Sequence, residues 1–145
     1  MSKVEEVWFK GPDKNLLQGW IMKPPSFNPR KKYPSILYIH GGPLTQYGKL
    51  FFHEFEVLAA NGYVVYFCNP RGGKGYGEEH AAAIWGAWGT ADYDDLIAWT
   101  DYMEKQPYID RERMGDRRLV WRLYDVVDHR SYETFPGGDH GSVRE

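Results

Sequence analysis

The chain has 145 residues, 42% of them hydrophobic, 26% charged and 17% aromatic, and its formal net charge is −2. That length fits one domain, the composition excludes a disordered chain, and the charge offers no field for nucleic acid or anionic lipid. No apolar run approaches the roughly 18 residues of a membrane span, and residues 1–10 lack the apolar core of a signal peptide. Cys68 is the single cysteine, so no internal disulfide forms and a reducing compartment fits. The expectation is a soluble, cytoplasmic protein without membrane or nucleic-acid partners.

Residues 4–10 (VEEVWFK) read as a strand, residues 11–15 (GPDKN) as a turn, and residues 16–23 (LLQGWIMK) as the hairpin partner that Pro24 and Pro25 stop. Residues 26–34 are polar and proline-punctuated, a surface loop. Two nearly continuous apolar runs follow, residues 35–40 (SILYIH) and 63–68 (YVVYFC), which suit strands buried on both faces of a parallel sheet. Between them Phe51, Phe55, Leu58 and Ala59 recur at helical spacing over residues 51–60, and Asn61-Gly62 supplies a stop. Strand, helix and strand make a βαβ unit. A second helix is predicted over residues 91–106, with Tyr93, Leu96, Ile97, Thr100 and Met103 inward. Thr90 is its N-cap, Asp92, Asp94 and Asp95 complement the dipole, and Pro107 ends it. The fold class is α/β, an antiparallel hairpin followed by parallel strands with crossover helices.

His40-Gly41-Gly42-Pro43 leaves the first apolar strand directly. Glycines there let backbone N–H groups approach a developing negative oxygen, so Gly41 and Gly42 are candidate oxyanion donors, with His40 and Pro43 shaping the loop. The same residues also suit a tight strand-exit turn that needs only glycine. The next loop, residues 69–77 (NPRGGKGYG), has neither G-x-G-x-x-G spacing nor the Gly-Lys-Ser/Thr of a phosphate loop. It reads as a structured loop flanking a pocket, with Arg71, Gly72 and Tyr76 as its site residues. His53-Glu54 opens like H-E-x-x-H but meets Val57 at the fifth position, so no metal is expected, and no cofactor either. His80 reads as a surface histidine and Cys68 as a buried, inert thiol. A serine nucleophile needs a G-x-S-x-G elbow, and none of Ser2, Ser26, Ser35, Ser131 or Ser142 lies on one. His140, in the loop of residues 136–141 (PGGDHG), is the remaining candidate base.

Over residues 4–115 the chain resembles the start of the catalytic domain of prolyl oligopeptidase family serine peptidases, the acylaminoacyl-peptidase and dipeptidyl-peptidase branches above all. The carrying motifs are Gly19-Trp20, Tyr38-Ile39-His40-Gly41-Gly42-Pro43, Asn69-Pro70-Arg71-Gly72 with Gly75-Tyr76-Gly77, Trp88-Gly89 to Asp95, and residues 110–115 (DRERMG). The resemblance implies an α/β-hydrolase sheet and a Ser-Asp-His triad that hydrolyses peptide or acylaminoacyl bonds. In the family the last motif leads into a central strand and a Gly-Gly-Ser-Tyr-Gly-Gly elbow. Here it leads into residues 116–124 (DRRLVWRLY).

Two features suggest that residues 116–145 are read in a shifted frame. All 9 Lys lie at or before Lys105, whereas 7 of the 9 Arg lie from Arg111 onward. Codons for Asp116 onward, regrouped from their second nucleotide, can read Thr-Gly-Gly-Ser-Tyr-Gly-Gly-Tyr-Met-Thr, the family's elbow at the expected place. Trp121, with its single codon, yields glycine whatever follows. Residues 1–115 are then the N-terminal part of the peptidase domain, and residues 116–145 an atypical tail. The chain as written is expected to be an inactive peptidase fragment. The alternative is a non-catalytic α/β binding module using the glycine loops and exposed aromatics. The family's strand order flanks residues 35–40 with a strand beginning near Met114. If the tail cannot supply that strand, an apolar edge opens and invites self-association.

Overall fold

The computed structural model describes residues 2–40, 45–49, 51–87 and 89–118. Its strands are β1 (Lys3–Lys10), β2 (Leu16–Lys23), β3 (Tyr33–Ile39), β4 (Val64–Asn69) and β5 (Ile109–Arg118). Its helices are α1 (His53–Ala60), α2 (Glu78–Ala82) and α3 (Ala91–Glu104). The five strands form one sheet in the order β1-β2-β4-β3-β5. β1, β2 and β4 pair antiparallel in turn, while β3 lies parallel to both β4 and β5.

Period-two alternation divides the sheet into two faces. Leu37, Val64, Tyr66 and Cys68 point to one side, where Leu96, Trp99 and Met103 of α3 cover them. Tyr38, Val65 and Phe67 point to the other, where Phe55 and Ala59 of α1 and the ring of Tyr47 close the second core. The β3-α1-β4 unit is thus the expected parallel crossover, with a hydrophobic layer on each face of the sheet. Among the described residues no helix is long and apolar enough to cross a membrane.

The helices depart from the sequence reading in detail. α1 begins at His53, and Phe51 lies outside it, 64% exposed. The buried stripe of α3 is Asp92, Asp95, Leu96, Trp99, Thr100 and Met103, so Leu96, Thr100 and Met103 face inward as expected, Trp99 joins them at the centre, and Tyr93 and Ile97 pack half-buried at the margin. The close approach of Trp99 requires Gly19, because a Cβ on Gly19 would stand 2.7 Å from the indole. Thr90 precedes the helix, but its hydroxyl donates to the Ala87 carbonyl at 2.8 Å rather than capping. Asp92 serves that end instead, accepting the Gly89 N–H at 2.9 Å.

β3 is not an edge. β5 pairs along it from Tyr33↔Ile109 to Ile39↔Arg118, so the strand expected near Met114 flanks residues 35–40 and the condition set for an open apolar edge is not met there. The register shifts between Tyr33 and Ser35, so β5 bulges at the charged residues 110–113, where Arg113 donates to Asp110 at 2.8 Å. Residues 119–145 lie outside the described residues, and His140 with them.

Candidate functional site at the exits of β3 and β4

Parallel neighbouring strands end at the same rim of a sheet, and the loops leaving that rim are where α/β folds place their sites. β3 ends at Ile39, next to His40, and β4 ends at Asn69. Gly41, Gly42 and Pro43 lie outside the described residues, whereas His40, the chain from Thr45 to Lys49, and the whole β4-exit loop are described.

Asn69 is the hub of this rim, and only 1% of it is exposed. Its Oδ1 accepts the Tyr47 N–H at 2.7 Å, and its Nδ2 donates to the Tyr47 carbonyl at 3.0 Å. The side-chain amide therefore pairs with Tyr47 as a neighbouring strand would. The second proton of Nδ2 goes to the Tyr76 hydroxyl at 2.7 Å. Tyr76 passes its own proton to Gln18, which donates to Glu6 at 2.8 Å. Lys49 completes the series, 2.8 Å from Glu6, and holds that carboxyl below its ordinary value, with Gln18 adding to the effect. Burial pushes the Tyr76 phenol up, so it remains protonated and able to donate. Tyr47, Tyr76, Gln18, Glu6 and Lys49 border a cleft of about 380 Å³ between the β1-β2 hairpin and the two exit loops.

The His40 ring stands edge-on to that of Tyr47, with centroids 4.9 Å apart. Burial drives the Tyr47 phenol far above its usual range, so it acts as a neutral wall of the second core. The two ends of the glycine loop thus meet in one aromatic contact.

Arg71 faces the opposite way. Its Nε and Nη2 grip Asp95 of α3 at 2.9–3.1 Å, Nη2 also reaches the Ala91 carbonyl at 3.1 Å, and Nη1 pairs with Asp13 in the hairpin turn. The Arg71 backbone N–H adds a bond to Asp95 at 2.9 Å. Arg71 fixes the loop to its scaffold, and Asp95, read from sequence as a dipole complement, is its buried counter-charge. Gly72 follows with φ +93°, a left-handed conformation, and its N–H donates to the His80 carbonyl at 2.9 Å. A Cβ there would also meet Ile84 at 2.6 Å.

His80 corrects its reading as a surface residue. It is half-buried on α2, packs on Tyr76 with ring centroids 4.8 Å apart, and places Nε2 3.1 Å from the Pro70 carbonyl. Burial lowers it from the ordinary 6.5. The unfolded chain therefore takes the proton first, so the contribution of His80 to stability is complete above pH 6.5 and declines as pH falls below it. Urea unfolding at stepped pH should show that loss, and His80→Phe should flatten it.

Cys68 is fully buried, and burial, with Asp95 nearby, pushes its thiol well above the ordinary range. Ellman's reagent should leave the native chain untouched and titrate one thiol after unfolding. Rapid native labelling would contradict this packing.

Of the residues singled out in the sequence, His40, Arg71, Gly72 and Tyr76 lie on the exit loops of this rim, whereas Asn69 as a clamp, Tyr47, and Asp95 as the partner of Arg71 were not singled out. No local pattern announces them, since their partners lie 22 to 24 residues away.

A parallel sheet extended by an antiparallel hairpin, with helices on both faces and glycine loops at the carboxyl rim, defines an α/β-hydrolase sheet of the peptidase type. The solved structure of Pyrococcus horikoshii acylaminoacyl peptidase in its orthorhombic crystal form superposes with a TM-score of 0.74 at 33% identity, covering 81% of this chain and 19% of that one. The uncharacterized peptidase YuxL of Bacillus subtilis is 45% identical over 116 residues, 79% of this chain and 18% of its own length. Dipeptidyl-peptidase 5 of Porphyromonas gingivalis is 34% identical over 113 residues, 77% of this chain and 16% of its own. Residues 49–116 match the family model of the prolyl oligopeptidase family, and the chain belongs to that family. It spans less than a fifth of the length of these curated relatives.

Proposed function

We propose that these residues supply the N-terminal part of the catalytic domain of a serine peptidase that hydrolyses peptide or acylaminoacyl bonds. Gly41 and Gly42 provide backbone N–H groups to the oxyanion, His40 and Pro43 shape their loop, and the loop carrying Arg71, Gly72 and Tyr76 flanks the substrate pocket. We propose further that the coding frame changes at Asp116, and that the 145 residues by themselves do not hydrolyse substrate.

One observation carries this reading, the register of β5 on β3. Arg118, the last residue of β5, pairs with Ile39, the residue before His40. In the regrouped frame the codon drawn from Leu119 and Val120 reads serine, with glycines two positions to either side. Such an elbow would follow β5 directly in the chain, and the end of a strand is where a nucleophile elbow is required. The residue after that serine adds a second backbone donor to the oxyanion hole.

The deciding experiment reads the nucleotide sequence across the codons for Gly115 and Asp116 and assays the frame-restored full-length product on an acyl ester and an aminoacyl amide. Turnover of either substrate supports the reading. A product with no hydrolytic activity, or a nucleotide sequence that cannot encode the elbow, overturns it.

A further inference from the structure

We infer that the cleft beside the hairpin binds a short peptide with free ends, taking its ammonium on Glu6 and its carboxylate on Lys49. Binding of this kind requires no turnover, so it stands apart from the peptidase reading. Glu6 on β1 lies opposite Trp20 on β2, and Trp8 lies opposite Gln18, so the four side chains share one face of the hairpin. Residues 46–49 from the β3 exit, with Gly75 and Tyr76 from the β4 exit, complete a cleft of about 380 Å³. That volume falls in the range of small-ligand sites.

The charged end of the cleft is arranged for exchange. Glu6 Oε1 accepts from Gln18 Nε2 at 2.8 Å and from Trp8 Nε1 at 3.1 Å, while Oε2 meets Lys49 Nζ at 2.8 Å. Two neutral donors therefore orient the carboxylate whatever cation sits on Oε2. The Lys49 side chain is 67% exposed and that of Glu6 29%, and an ion pair this open contributes little by itself. A ligand that brings an ammonium to Oε2 and a carboxylate to the released Lys49 replaces one ion pair with two. A simple amine or a simple acid can make only one of them. Gln46 offers an exposed amide to the ligand's peptide group, and it lies over Gly75, where a Cβ would collide with its Oε1. Trp20, Tyr47 and Tyr76 also line the cleft, and an apolar ligand side chain gains contact on their aromatic surface.

Calorimetric titration of the 145-residue chain with the dipeptide Gly-Phe should show saturable binding. N-acetyl-Gly-Phe and Gly-Phe amide should each bind about tenfold more weakly, the worth of one hydrogen bond to a charged group. Glu6→Gln should weaken Gly-Phe by about tenfold and leave the N-acetyl form unchanged. Lys49→Gln should do the same with the amide, because each variant removes only the ion pair that its blocked ligand has already lost. A Cβ at Gly48 would meet nothing within 4 Å, so Gly48→Leu obstructs the cleft while keeping the fold and both charges, and it should abolish binding of all three ligands. Blocked forms that bind as tightly as Gly-Phe, an absence of saturable binding, or binding that survives Gly48→Leu overturns the proposal. Should Glu6→Gln fail to fold, the blocked peptides on the native chain and Gly48→Leu decide it.

Discussion

Asp95→Ala should lower the unfolding free energy by about 3–5 kcal/mol, the usual cost of removing one partner from a buried ion pair. Against a typical domain stability of about 5–15 kcal/mol, that is a large share. Asp95 is completely buried, and the Arg71 side chain it binds is only 13% exposed. Without the carboxylate, the guanidinium loses its two-pronged partner and the Arg71 N–H loses its acceptor. Arg71 keeps Asp13 and the Ala91 carbonyl, but Asp13 is 70% exposed and cannot replace a buried partner. Arg71→Ala should cost a similar amount, because it strands a buried carboxylate. The double variant should cost clearly less than the two added, since each single change pays for an orphaned charge. Urea unfolding of all four chains closes the cycle. Additive losses, or a loss below about 1 kcal/mol for Asp95→Ala, would show that the pair is not coupled as its geometry implies.

The same pair marks the boundary of what the sequence discloses. The hairpin and the two apolar strands are legible because their alternation, length and punctuation are local properties. Residues 35–40 and 63–68 differ from β3 and β4 by one or two residues at the ends. β5 is legible only through the family resemblance, which sets a strand near Met114; its first half is hidden by its own charges, since Asp110, Arg111, Glu112 and Arg113 look like a loop and bulge from the strand. On α3 the sequence points Leu96, Thr100 and Met103 inward correctly and omits Trp99 for a different reason. Trp99 and Ile97 are both apolar; the space left by Gly19 on β2 admits the indole of Trp99, which is fully buried, while Ile97 packs at the margin of the core. In the site, glycines and strand exits are readable motifs, so His40 and the loop of Arg71, Gly72 and Tyr76 could be picked out. The clamp of Asn69 on Tyr47 could not, because Asn69-Pro70 also reads as an ordinary turn and its partner is set by the juxtaposition of two loops.

A fluorophosphonate probe should fail to label the 145-residue chain and should label the frame-restored, full-length peptidase at a single serine. Such a probe needs a serine whose proton is taken by a base and whose adduct oxygen is met by N–H donors. Ser35 is fully buried within β3, and Ser2 gives its N–H and hydroxyl to Glu56 at 2.9–3.2 Å. Ser26, Ser131 and Ser142 lack the flanking glycines of an elbow. His140 adds nothing in this setting, because a base without a nucleophile has no proton to take. Restoring the frame puts a serine directly after Arg118, which pairs with Ile39 at the end of β3, and the effect is all or none rather than graded. Intact-mass spectrometry of both proteins after labelling gives the answer. Stoichiometric modification of one serine in the 145-residue chain would show that a nucleophile exists outside the elbow. An unlabelled restored protein would remove the main support for a changed frame at Asp116.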